Sequence, residues 1–337
     1  MPRTLRPGQR AQLFTLDVAT GESTLLLESS SLLFEAPNWT PDGQRLILNG
    51  DGHLWSVEVG EPDASAGGDA VRDESALTQI DLAGVPEINN DHVLSPDGAT
   101  AYVSAEDGHL YAVPIGGGSK RLVSNDRGAD FRYYLHGISP DGETLAYIGL
   151  EFGPEQPGGG RAVTTNVFTI PAAGGADAQL TEGDYAHDGS EYSPDGRWLY
   201  FNSERPGVDA DGSRQPDRAP GHAQLFRMPA DAAAAAPVPH GDPRIEQLTF
   251  DERVNWFPHV SPDGARIAYI SFPPGTLGHP ADLDVILRLL PVPGIGDDPA
   301  AAVPRDLVAL PGGQGTINVP SWDPTGTHLA YVAYPLD

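Results

Sequence analysis

Short runs of alternating apolar and polar residues recur along the whole chain. Examples are residues 44–48, 144–148 and 197–201. Alternation with a period of two is typical of a β-strand that buries one face. The pattern therefore predicts many short strands distributed from one end of the chain to the other.

A four-residue turn phrase stands before six of these runs. Proline presets φ for the first corner, aspartate accepts hydrogen bonds from nearby backbone N–H groups, and glycine takes the positive φ that ends the turn. Each copy therefore predicts the tip of a β-hairpin. The copies begin at Thr40, Ser95, Ser139, Ser193, Ser261 and, in the variant form Asp-Pro-Thr-Gly, at Asp323.

The repeated unit is an inner strand, the turn, and then three further strands. Four antiparallel strands in each of six units predict an all-β, six-bladed β-propeller that spans residues 1–337 as a single domain. Residues 11–28 have the pattern of the second half of a unit, and residues 316–334 have that of the first half. We therefore expect N-terminal strands to pair with C-terminal strands and close the ring as the sixth blade.

Composition limits the class of partner. The net charge is −27 with a sequence pI of about 4.5, and such a surface repels phosphate backbones and anionic lipid. We therefore expect no nucleic-acid and no membrane partner. The 40 glycines and 33 prolines agree with many turns.

Cysteine is absent, which excludes thiolate nucleophiles, thiolate metal sites and disulfides. The first residues lack the apolar core of a signal peptide, and no apolar run is long enough to cross a bilayer. We predict a cytoplasmic protein from this pattern. A periplasmic or secreted protein trimmed of its signal peptide would have the same sequence.

The Pro-Asp-Gly hairpins and the Gln-Leu-Thr strand ends at residues 179–181 and 247–249 resemble the propeller repeats of the TolB-like family. The similarity covers essentially the whole chain and implies a six-bladed propeller. It does not fix the function, because such propellers serve as partner platforms, ligand binders and enzymes.

Polar residues concentrate at the starts of the inner strands, where they would enter the central channel. Packing alone does not require so many amides, imidazoles and carboxylates there. We predict that these side chains bind a small polar ligand, a carbohydrate or a uronate, with aromatic rings stacking on the sugar. The predicted ligand-binding residues are Asn90, His92, His136, Asn255, Trp256, Gln314 and Asn318.

One reading of the same region is metal-free acid–base chemistry. A carboxylic acid would donate a proton to a sugar oxygen while a second carboxylate stabilises the developing charge. The predicted catalytic residues are His187, Asp188, Glu191, Arg132 and Tyr134.

A second reading is a divalent metal site for Mn²⁺ or Zn²⁺. Imidazoles and an amide oxygen suit such ions, and the predicted ligands are His187, His259, His279 and Gln314. The set resembles that of the oligogalacturonate lyases, in which three histidines and a glutamine bind a Mn²⁺ that polarises the uronate carboxylate. That resemblance implies a metal-assisted lyase, although the lyase propeller has seven blades.

A third reading is a non-enzymatic platform that holds a protein partner as TolB does. It predicts an exposed apolar or aromatic patch around the rim of the channel. The sequence leaves the three readings open.

Overall fold

Six antiparallel sheets succeed one another along the chain in the computed structural model, which describes residues 3–60, 71–155, 158–183, 185–205, 221–232 and 236–336. They are the blades of a six-bladed β-propeller. The predicted fold class is confirmed.

The strands follow one another in the order that the repeats predict. The chain begins with β1 (Ala11–Asp17) and β2 (Ser23–Ser29). Blade 1 contains β3 (Phe34–Trp39), β4 (Arg45–Gly50), β5 (His53–Glu58) and β6 (Thr78–Ile80). Blade 2 contains β7 (Ile88–Leu94), β8 (Thr100–Ala105), β9 (Leu110–Pro114) and β10 (Arg121–Leu122). Blade 3 contains β11 (Phe131–Ile138), β12 (Thr144–Glu155), β13 (Arg161–Pro171) and β14 (Ala178–Gln179).

The remaining blades repeat this arrangement. Blade 4 contains β15 (His187–Tyr192), β16 (Trp198–Ser203), β17 (Gln224–Pro229) and β18 (Glu246–Gln247). Blade 5 contains β19 (Val254–Val260), β20 (Arg266–Phe272), β21 (Ala281–Pro291) and β22 (Arg305–Gly313). The last strand is β23 (His328–Ala333). One-turn 3₁₀ segments lie at Glu74–Ala76 and Pro299–Ala301.

Blade 6 joins the two ends of the chain. Strand β1 pairs with β23 in antiparallel register from Gln12 opposite Ala333 to Asp17 opposite His328, and β2 lies outside β1. Residues 316–322 take the innermost position, where the N–H of Val332 donates to the carbonyl of Thr316 at 3.1 Å. Ring closure by the N-terminal strands is confirmed.

The turn phrases form the hydrogen bonds expected of them. In blade 2 the hydroxyl of Ser95 donates to Asp97 Oδ1 at 2.6 Å, and the same carboxylate oxygen accepts from the N–H of Ala99 at 3.0 Å. Hydrogen bonds from the Ser95 hydroxyl and the Ala99 N–H lower the pKa of Asp97.

Successive turns also touch one another around one face of the ring. A Cβ atom on Gly98 would lie 3.1 Å from Cδ of Pro41, and one on Gly142 would lie 3.2 Å from Cδ of Pro96. These glycines have φ near +70°, so both their conformation and their close contacts favour glycine.

The hydrophobic core lies between neighbouring blades. In one cluster, Ile47 and Leu54 of blade 1 pack with Ile88 and Val103 of blade 2. Because each blade buries one face against the blade before it and the other against the blade after it, its strands carry apolar side chains on both faces. None of the helical segments among the described residues has the length and apolarity to span a bilayer.

The inner strands of blades 1 to 5 each carry a register shift before the turn, and those of blades 1, 4 and 5 share one backbone geometry. Register shifts lie between Glu35 and Asn38 and at the equivalent places in blades 4 and 5. The residue four positions before the turn has positive φ in each: 53° at Ala36, 62° at Gly189 and 54° at Phe257. These bulges break strict alternation and re-aim the side chains at the strand start.

Candidate functional site

A cavity of about 450 Å³ opens where the inner strands begin. Much of its wall comes from one equivalent position in each repeat. Of the six residues that stand five positions before the start of a turn, five line it: Asn90, Tyr134, Asp188, Trp256 and Asn318. The propeller thus brings equivalent positions from separate blades to one site.

The sixth equivalent position, Glu35, pairs with an arginine near the N-terminus. Arg3 Nη1 lies 3.0 Å from Glu35 Oε1, and Arg3 Nη2 lies 2.8 Å from Asp282 Oδ1. The guanidinium stacks on the ring of Tyr334 at 4.1 Å. Arg3 also donates to the backbone carbonyl of Gln314 at 2.8 Å, which joins the N-terminal segment to the cavity wall.

Asp188 lies between two imidazoles at the centre of the site. Its Oδ1 is 2.6 Å from His136 Nε2, and its Oδ2 is 3.3 Å from His279 Nε2. Burial alone would raise the pKa of Asp188, but His136 and His279 lower it well below its usual range. Burial opposes charge on His136 as well, yet Asp188 and Asp91 raise the pKa of His136 to about 9. The pair is therefore ionic at neutral pH.

Asp91 is a second buried carboxylate in the cavity wall. Burial raises the pKa of Asp91 to about 6, against the opposing effect of His136. Its Oδ2 accepts from Asn89 Nδ2 at 2.8 Å. The pKa values of Asp91 and Asp188 are thus shifted in opposite directions, upward by burial and downward by the imidazoles respectively.

Aromatic rings form one wall of the cavity. Trp256 and Phe257 follow each other on β19, and His279 packs edge-on against both, with ring centroids 4.5 Å and 5.1 Å away. The Phe257 ring also stacks on His136 at 5.8 Å. Because these rings pack against the imidazoles, their positions are fixed by the acid–base cluster as well as by the strand.

Amide side chains connect the aromatic wall to blade 2. The Oε1 atom of Gln314 contacts His279 Nδ1, and Gln314 Nε2 donates to Asn90 Oδ1 at 3.2 Å. Asn318 Oδ1 accepts from the N–H of Gly315 at 2.7 Å. The Nδ2 atom of Asn90 and the indole nitrogen of Trp256 are buried and have no hydrogen-bond partner within the part of the chain that the structure describes.

His187 lines the cavity, but both of its ring nitrogens are engaged by the protein. Nδ1 lies 2.9 Å from the carbonyl of Thr165 and 3.1 Å from that of Tyr185, and Nε2 lies 3.0 Å from Arg205 Nη2. Burial and the Arg205 guanidinium lower the pKa of His187 to about 3. The neutral ring holds Arg205 in place rather than offering a lone pair to the cavity.

His259 and Glu191 form a structural clamp outside the cavity wall. His259 Nδ1 lies 2.7 Å from Glu191 Oε2, and His259 Nε2 lies 2.5 Å from the carbonyl of Ile317. The other oxygen of Glu191 accepts from the N–H of Val260 at 3.0 Å. The clamp connects the inner segments of blades 4, 5 and 6.

Three further predicted residues also lie apart from the cavity wall. Arg132 donates to the carbonyl of Glu106 at 2.9 Å on the edge between blades 2 and 3. Asn255 is fully buried in contacts with Gln224 and Ser271. His92 is also fully buried, and burial lowers its pKa to about 4.

The four predicted metal ligands do not converge. His279 and Gln314 touch, whereas the ring nitrogens of His187 and His259 contact other protein groups. Over the described ranges there is no group of three His, Asp or Glu side chains placed to hold a metal ion. The residues present therefore do not fit the predicted Mn²⁺ or Zn²⁺ site.

The sequence reasoning left Asp91 and Phe257 out of the predicted site. Asp91 follows Asn90 in a polar run at the start of β7, and that run is the sequence feature that could have identified Asp91 as a site residue. A register shift between Ile88 and His92 brings three consecutive residues, 89–91, to the same cavity. Strict strand alternation does not anticipate that arrangement.

Comparison with known proteins gives close matches in sequence and in fold. No protein-family model matches the chain. An uncharacterized protein of Agrobacterium fabrum is 33% identical over 307 residues, which cover 90% of this chain and 85% of that protein. A solved structure from Agrobacterium tumefaciens, of a protein assigned as TolB, has a TM-score of 0.74 at 30% identity and covers 98% of this chain and 99% of that one.

A more distant likeness concerns the fold alone. An oligogalacturonate lyase solved in complex with manganese has a TM-score of 0.53 at 14% identity. The match covers 92% of this chain and 75% of the lyase chain. The likeness extends to the propeller and does not transfer the lyase's metal site to these residues.

Proposed function

Because the chain belongs to the TolB-like β-propeller family, we propose that the cavity at its channel mouth binds a small polar ligand of the carbohydrate class. The observation that carries the proposal is the composition of one wall. The rings of Trp256 and Tyr134 line the cavity beside Asn90, whose Nδ2 atom has no hydrogen-bond partner within the described residues. Sugars require this combination, since they present apolar C–H faces and a rim of hydroxyls.

The charges favour a neutral sugar over a uronate. Asp91 and Asp188 line the cavity, and the His136 imidazolium is already paired with Asp188. A uronate carboxylate would enter a site with a surplus of negative charge. The charges of the cavity therefore do not favour the uronate that a metal-assisted lyase would bind.

Binding is tested by isothermal titration calorimetry with neutral oligosaccharides and oligogalacturonates. The Tyr134→Leu variant removes one ring face from the cavity, and Tyr111→Leu removes a half-buried tyrosine from outer strand β9 as a matched control. We expect a neutral sugar to bind the wild type and the control alike, and about tenfold more weakly to Tyr134→Leu, the value of one stacking contact. Equal binding by both variants, or no binding by the wild type, would contradict the proposal.

A further inference from the structure

The cavity contains a buried carboxylate, Asp91, that interacts with His136 and His279 without forming a direct ion pair. Asp91 accepts from the amide of Asn89 at 2.8 Å, and across the described ranges no Arg, Lys or His nitrogen forms an ion pair with it. Asp188 differs, because both of its oxygens face imidazoles. A buried carboxylate that lacks a direct ion pair is stabilised when a cation enters beside it.

Aromatic faces line the same cavity. Tyr134, Trp256 and Phe257 are all part of its wall, and Tyr134 is close enough to Asp91 for that carboxylate to contribute to its raised pKa, after the larger effect of burial. A cation that leaves water is held by ring faces as well as by an anion. Carboxylate and rings together therefore suit an ammonium group.

Two orphan donors on the wall indicate that the ligand also carries hydrogen-bond acceptors. Asn90 is 5% exposed and Trp256 is 3% exposed, and Asn90 Nδ2 and Trp256 Nε1 find no partner among the residues that the structure describes. Buried donors of this kind are satisfied by a ligand or by ordered water. Hydroxyl oxygens of a sugar would serve them.

From these observations we propose that the ligand of this cavity is an amino sugar, whose protonated amine sits between the Asp91 carboxylate and the ring faces of Tyr134 and Trp256. The inference rests on the proposed carbohydrate function and narrows it. The buried guanidinium of Arg205, which would favour an acidic sugar, contacts His187 and is not among the described residues that line the cavity.

The test compares three matched probes on the full chain by calorimetry at pH 6.5, where glucosamine amines carry substantial positive charge: glucosamine oligomers, N-acetylglucosamine oligomers and glucose oligomers of equal length. Acetylation removes the charge and keeps the ring. We expect the amine form to bind at least tenfold more tightly than either neutral form. Equal affinities for all three would overturn the inference while the carbohydrate proposal stands.

The Asp91→Asn variant keeps the side-chain shape and removes the charge, and Asp81→Asn removes an exposed carboxylate as its control. The amine preference is expected to vanish in Asp91→Asn and to persist in Asp81→Asn. An unchanged preference in Asp91→Asn would overturn the inference. The wild-type comparison decides the question alone if Asp91→Asn does not fold.

Tetramethylammonium, a quaternary cation without a sugar ring, tests the cation site separately. If no sugar binds but tetramethylammonium does, in a manner that Asp91→Asn abolishes, the cavity holds a cation beside Asp91, and both the amino-sugar inference and the carbohydrate proposal fail. If neither the sugars nor this cation bind, both proposals fail.

Discussion

The Oδ1 atom of Asp188 lies 2.6 Å from Nε2 of His136, and the two residues come from the inner strands of neighbouring blades. His136 stands three positions before its turn and Asp188 stands five before its own. The contact therefore joins two positions that are not equivalent in the repeats. It forms because the blades close around a channel. It also sets the charge state of the cavity.

Removing the carboxylate from this pair should release the imidazole. In Asp188→Asn the pKa of His136 is expected to fall by at least one unit from about 9, because burial opposes its charge and Asp91 is then the main remaining anion beside it. The measurement is a pH titration of the His136 Cε1 resonance in histidine-labelled protein. The turn variant Asp195→Asn should leave the titration unchanged, and an unchanged His136 in Asp188→Asn would contradict the ion pair.

The same pair predicts a loss of stability in alkali. The pKa of His136 is raised from 6.5 to about 9 in the folded protein, so its stabilising contribution is complete below pH 6.5 and disappears as pH rises through 9. The groups that face it are Asp188, Asp91 and the carbonyl of Asn318. The Asp91 pKa of about 6 places that group's titration below the window.

Urea unfolding at pH 6.5 and pH 9.5 measures this effect. We expect the wild type to lose up to roughly 3 kcal/mol more unfolding free energy between pH 6.5 and pH 9.5 than His136→Gln loses, because only the wild type has the raised His136 pKa. Equal losses in the two proteins would show that a group other than His136 causes the loss of unfolding free energy at alkaline pH.

Metal content should not depend on the predicted histidine ligands. His259 and His187 use their ring nitrogens for protein contacts, so neither presents a free lone pair. Mass spectrometric metal analysis of untagged protein after incubation with Mn²⁺ and Zn²⁺ should give the same substoichiometric content for wild type and His259→Ala. One bound metal per chain that disappears in the variant would contradict this geometry.

The close approach of inner strands in blades 3 and 4 predicts a sharp difference between two glycines. A Cβ on Gly137 would lie 2.6 Å from the carbonyl oxygen of Ser190, whereas one on Gly116 would meet nothing within 4 Å. Gly137→Ala should reduce the unfolding free energy by roughly 2 kcal/mol or more through overpacking. Gly116→Ala should change it by less than about 0.5 kcal/mol, and denaturant unfolding of both variants measures the contrast.

The propeller was predictable because its signals are local and repeated. Each turn phrase encodes its own hairpin through the side chain of an aspartate such as Asp97 and the positive φ of a glycine such as Gly98. Six copies of the turn then leave few alternative folds. Closure of the ring was also predictable, because each end of the chain has the sequence pattern of half a repeat, and the pairing of Gln12 with Ala333 confirms it.

The site was predictable only as a region. Polar strand starts identified Asn90, Tyr134, Asp188 and Trp256 as channel residues, and all four line the cavity. The sequence could not show that His259 and Glu191 satisfy each other, because that contact joins separate blades. Side-chain partnership across blades depends on bulges and on the ring geometry, neither of which a period-two pattern encodes.

The measurement that tests the account most directly is a crystal structure of the protein soaked with the oligosaccharide that binds best in calorimetry. We predict a sugar ring stacked on Trp256 or Tyr134, with its polar groups hydrogen-bonded to Asn90 and within reach of Asp91. A sugar bound elsewhere, such as the groove near Arg227 and Ile295 beside the turns, with none in the channel mouth, would contradict the assignment of this cavity as the ligand site.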